Sequence, residues 1–132
     1  MPHLSIDYSA NLEPDADIAG LCEVLRATAA GLDVFPEAGV RVRAFRADHY
    51  AIADGNPENG FIDISVRLRE GRAQDVKEAA TEALFAAAKS HLTQVIATRP
   101  VLLSLEMREI NATLAPKLNT ISARIEAKRA HG

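Results

Sequence analysis

Met1-Pro2-His3-Leu4-Ser5-Ile6-Asp7-Tyr8 opens the chain with a strict alternation, Leu4, Ile6 and Tyr8 against His3, Ser5 and Asp7. A period of two marks a half-buried strand, so the fold begins with a β-strand directly behind the chain terminus. Proline at the second position adds a chemical feature. A small second residue normally lets the initiator methionine be trimmed, which would leave Pro2 as a free secondary amine. Such a nitrogen is a base on a rigid ring, and a strand can aim it into a pocket. A Met-Pro start also serves simply as a processing signal, and at this point both readings stand.

Outward from this strand the chain repeats one pattern. Asn11 to Asp15 is a turn containing Pro14, and a helix follows with Ile18, Leu21, Cys22, Leu25 and Ala29 on one stripe, ending near Gly31. Val40, Val42 and Ala44 alternate with Arg41, Arg43 and Phe45 as a second strand. Asp54-Gly55-Asn56-Pro57 is a turn cluster. Ile62, Ile64, Val66 and Leu68 then alternate with Phe61, Asp63, Ser65 and Arg67 as a third strand, broken by Gly71. Ala73 to Ile96 reads as one long helix with Val76, Ala80, Ala83, Leu84, Ala87, His91 and Val95 inward, and Val101 to Ile110 as the fourth strand. The order is β-α-β twice, an α+β fold. Residues 1–118 hold both halves, and residues 119–132 form a tail that can close as a short basic helix.

Each β-α-β unit places its strands parallel with a right-handed crossover. Both helices then cover one face of a four-stranded sheet. The other face carries Ser5, Asp7, Arg41, Arg43, Ser65 and Arg67, too polar for a second core. Sheet edges need cover, which favours an oligomer. In this layout the segment before Arg41 and the segment after Leu68 both approach the start of strand one. Pro2, Arg41 and Arg72 would then meet at one pocket, with Arg72 at a helix N-terminus already favourable to anions. Guanidinium grips carboxylates through two parallel hydrogen bonds. Arg43, Arg46, Arg67 and Arg69 read as solvated or interfacial charge.

Composition narrows the function. The 132 residues are 48% hydrophobic, enough for one domain with a real core. A net charge of −3 argues against nucleic acid or an anionic membrane surface as partner. No apolar run approaches the about 20 residues of a membrane helix, and the N-terminus is not a signal peptide. The lone Cys22 reads as core and fits a reducing cytoplasm. His3, His49, His91 and His131 lack metal-ligand spacing, so neither a metal nor an organic cofactor is expected.

Several segments together carry a resemblance. Pro2-His3-Leu4-Ser5-Ile6, Phe35-Pro36-Glu37-Ala38-Gly39-Val40-Arg41-Val42-Arg43, Ala53-Asp54-Gly55, Gly71-Arg72, Leu103-Ser104-Leu105-Glu106 and Thr113-Leu114 resemble the 5-carboxymethyl-2-hydroxymuconate Δ-isomerase family. That family lies in the tautomerase superfamily, with 4-oxalocrotonate tautomerase and macrophage migration inhibitory factor. The likeness runs in register from Met1 to about Asn119, and the tail is longer and more basic than it leads one to expect. It implies a homotrimer, an N-terminal proline as general base, and two substrate-gripping arginines, Arg41 and Arg72. The implied reaction is a cofactor-free proton shift in an unsaturated 2-hydroxy acid, 5-carboxymethyl-2-hydroxymuconate, in homoprotocatechuate breakdown. A related tautomerase of an arylpyruvate or a smaller dicarboxylate is a second reading, and a trimeric binding module without activity is a third. A free α-amine titrates near pH 8. Burial and two neighbouring arginines would lower the value for Pro2 toward neutrality, where a general base works best.

Overall fold

The computed structural model describes residues 1–131. Four strands form one sheet in the order β2-β1-β3-β4: β1 (His3–Ser9), β2 (Arg41–Ala47), β3 (Gly60–Arg69) and β4 (Val101–Ile110). β1 runs parallel to β2, β3 parallel to β4, and β1 antiparallel to β3. This is the doubled β-α-β arrangement that the alternating segments require. A short α1 (Glu13–Ala16) leads into α2 (Ile18–Ala30), which joins β1 to β2, while α3 (Gln74–His91) and α4 (Thr93–Thr98) join β3 to β4. The chain ends in α5 (Ile121–His131).

The period-two residues decide which face is covered. Leu4, Ile6, Ile62, Ile64 and Val66 are fully buried against Leu21 and Leu25 of α2 and Leu84 of α3. Each such side chain contributes about 1.5–3 kcal/mol relative to exposure. Half-buried Cys22 packs beside this core, and burial raises its thiol pKa, so it is a poor nucleophile. His91 ties the two halves together: its Nε2 donates to the carbonyls of Ala16 at 3.2 Å and Asp17 at 3.0 Å. Asp17 has φ of 47° and caps α2 by accepting from the Gly20 amide.

Two details of the second helix differ from the sequence expectation. The run Ala73 to Ile96 is not one helix, because it breaks at Leu92 (φ −95°, ψ 15°). There the Thr93 hydroxyl donates to the Ser90 carbonyl at 2.8 Å and the Lys89 carbonyl at 3.3 Å. The break turns Leu92 into the core, beside Ala88 and Val95. Val76 is not inward but 41% exposed. The adjacent position Lys77 faces β4 and pairs with Glu109 at 3.4 Å, and one residue is a rotation of about 100° around a helix.

The uncovered face is banded by charge. Register aligns Arg41, His3, Arg67 and Arg108 in one row across the sheet, and Phe45, Asp7, Asp63 and Ser104 in another. Phe45 and Leu102 stand 53% and 63% exposed on this face. The row of arginines lies at the end where the chain begins.

Candidate active site

Parallel pairing of β1 with β2 brings Arg41 to the chain start. Arg41 is the register partner of His3, and its amide donates to the Pro2 carbonyl at 3.4 Å. The 3-10 turn Glu37–Gly39 precedes it, with Val40 between them. Gly39 is buried against Met1: a methyl group on its Cα would stand 2.9 Å from the Met1 carbonyl oxygen and closer still to the Met1 nitrogen. Arg41 Nε donates to the Gly39 carbonyl at 3.2 Å, which holds its guanidinium beside this turn. Met1 and Pro2 are themselves buried.

Arg72 arrives from the other half. Gly71, with φ of 111°, turns the chain from β3 toward α3, a conformation glycine adopts without strain. The Arg72 guanidinium then bridges two segments, donating to the Arg69 carbonyl at 3.3 Å and the Val34 carbonyl at 3.4 Å. Arg72 directly precedes the N-cap of α3, where no side chain caps the helix.

Lys117 escaped the sequence reading, and Arg69, read there as solvated or interfacial, is exposed. Lys117 and Arg69 both act on the chain terminus together with Arg41 and Arg72. Lys117 follows Pro116 in an irregular segment, so no periodicity says where it goes. Asn119 fixes it: its Nδ2 donates to the Ala38 carbonyl at 2.9 Å, strapping residues 115–120 over the Glu37–Gly39 turn. Arg41, Lys117, Gly39 and Asn119 line one cavity of about 190 Å³ there.

The field at this site is one-sided. Burial first, then Arg41, Lys117, Arg72 and Arg69, lower the Met1 amine from 8.0 to about 6. Burial together with Arg41, Arg67 and Arg43 pushes His3 down to about 4. Both groups are therefore neutral at pH 7. Among the described residues, none of Arg41, Arg69, Arg72 and Lys117 forms an ion pair. A cluster of unpaired cations around a neutral amine can bind an anion and stabilise negative charge that develops on it. Arg43 instead meets His3 Nδ1 at 3.3 Å on the open sheet face, and Arg46 pairs with Asp48 at 2.8 Å. Among the described residues no three His, Cys, Asp or Glu side chains converge as metal ligands, and no helix is long and apolar enough to cross a membrane.

Comparison with known proteins gives this geometry a family. The profile described as 5-carboxymethyl-2-hydroxymuconate isomerase matches residues 2–125. The 5-carboxymethyl-2-hydroxymuconate Delta-isomerase of Escherichia coli is 32% identical over 123 residues, covering 93% of this chain and 98% of the relative. The crystal structure of a 5-carboxymethyl-2-hydroxymuconate isomerase from Deinococcus radiodurans R1 superposes with a TM-score of 0.87 at 36% identity, over 94% of this chain and 93% of that one. A fused 4-OT, described as a wild-type symmetric trimer, shares the fold at a TM-score of 0.59 and 24% identity, over 92% of this chain and 98% of its own. The doubled β-α-β sheet is thus the tautomerase fold, and the chain belongs to the 5-carboxymethyl-2-hydroxymuconate isomerase family, a family of isomerases.

Proposed function

We propose that the protein isomerises 5-carboxymethyl-2-hydroxymuconate without a cofactor, with Pro2 as general base once Met1 is removed. The observation that carries this reading is the placement of Arg41 at the chain start, with its amide on the Pro2 carbonyl at 3.4 Å, in a positive field to which Lys117, Arg72 and Arg69 add and which lowers the terminal amine to about 6. Removing Met1 moves the terminal amine to Pro2, one residue along in the same cationic surroundings. The neutral imino nitrogen takes the proton of the substrate's 2-hydroxyl. The electron pair shifts along the diene, and the proton returns to C5. The product is the 2-oxo isomer, with nothing gained or lost. Arg41 and Arg72 each hold a carboxylate, orienting the diene and stabilising the dienolate.

The homologous isomerases from Escherichia coli and Deinococcus radiodurans support this choice of substrate, and with it a role in aromatic-acid breakdown. The open polar face, with exposed Phe45 and Leu102 and two free edges at β2 and β4, supports a homotrimer that closes the sheets around a common axis. An ultraviolet assay with 5-carboxymethyl-2-hydroxymuconate beside phenylpyruvate tests the activity. Faster turnover of the former is expected, and turnover of phenylpyruvate alone would overturn the assignment. Light scattering should give a trimer, and a stable monomer at micromolar concentration would contradict the assembly.

A further inference from the structure

The proposed substrate has three carboxylates, two at the ends of the diene and one on the carboxymethyl branch. Arg41 and Arg72 account for two. We infer that Lys117 is the specificity-determining residue that binds the third, so that the site selects tricarboxylates. This rests on the function proposed above.

Three observations carry it. Lys117 lines the same cavity as Arg41, and about 190 Å³ is room for a carboxymethyl group, given about 30 Å³ for one water in the liquid. Its ammonium has no carboxylate partner among the described residues. Its backbone is held rather than left to wander. Asn119 Nδ2 binds the Ala38 carbonyl, and Asn119 Oδ1 accepts from the Ile121 amide at 2.8 Å and the Ser122 amide at 3.3 Å. One side chain thus fastens the strap to the turn that precedes Arg41 and also starts α5. Lysine suits such a contact, because its ammonium is a point charge on a flexible stem and can follow a branch that rotates about a single bond.

The test compares 5-carboxymethyl-2-hydroxymuconate with 2-hydroxymuconate, the same dienol without the branch, using protein freed of Met1. Lys117→Met should lower kcat/KM for the tricarboxylate about ten- to a hundredfold more than for the dicarboxylate, mainly through KM. Lys117→Arg should restore most of the difference. Taking the ratio of the two substrates cancels any general effect of the lost charge on the base. Equal losses on both substrates, or no loss on either, would overturn the role of Lys117 while leaving the isomerase reading intact. Wild-type protein that turned over neither substrate would overturn the functional reading, and this inference with it.

Discussion

Gly39 packs directly on the backbone of Met1, so that a single added methyl would press against the Met1 carbonyl and nitrogen. The atoms it would strike all belong to the residue whose removal frees Pro2. Gly39→Ala should therefore destabilise the form that keeps Met1 by about 1–3 kcal/mol, as overpacking commonly does. The trimmed form should tolerate it. Thermal unfolding of both forms checks this, and equal losses would mean that the contact does not depend on Met1.

The arginines near the terminus should separate from those elsewhere. Arg41→Ala and Arg72→Ala should each lower kcat/KM by about ten- to a thousandfold, the scale of a lost charged contact. Arg46→Ala should not, because Arg46 is engaged with Asp48. Arg72 also bridges Arg69 and Val34. Arg72→Ala should therefore lower the melting temperature as well, and Arg41→Ala is the cleaner probe. Similar kinetics for all three variants would contradict a specific carboxylate clamp.

The pH dependence of activity follows from the same field. Neighbouring cations disfavour the protonated base and lower its pKa. Removing one cation must raise it. In Arg41→Ala the acid limb of the kcat/KM profile should therefore move to higher pH. An unmoved limb would show that the titrating group lies elsewhere.

His3 gives a stability counterpart. Its pKa is about 4 in the folded chain against 6.5 ordinarily. Between these values the unfolded chain binds the extra proton, so stability falls as pH drops from about 6.5 through about 4. His3→Gln should flatten that part of the curve relative to wild type, as read from urea midpoints at several pH values. Parallel curves would contradict the assignment.

Much of this fold was legible in the chain because the strands alternate strictly. Val101 to Ile110 has the same bounds as β4, and the order of alternating segments dictated which pairs run parallel. The break at Leu92 was hidden, since the alanine-rich period continues through it. At the break the Thr93 hydroxyl bonds back to the Lys89 and Ser90 carbonyls, which no periodicity announces. Arg41 was visible as the first residue of an alternating strand, and Arg72 as the residue after a strand-breaking glycine. Lys117 carried no such mark. Its place depends on a bond from Asn119 to Ala38, 81 positions apart in the sequence, and only the folded chain brings those groups together.

The central claim is that a free Pro2 nitrogen does the chemistry. The direct measurement compares turnover of 5-carboxymethyl-2-hydroxymuconate by protein freed of Met1 with that of protein keeping a residue ahead of Pro2, each verified by intact mass and matched in oligomeric state. An amide nitrogen has no available lone pair, so the blocked form should lose activity by about 10²–10⁴-fold or more, the usual scale of general base catalysis, while remaining folded. Full-rate turnover by the blocked, folded protein would remove Pro2 from the mechanism.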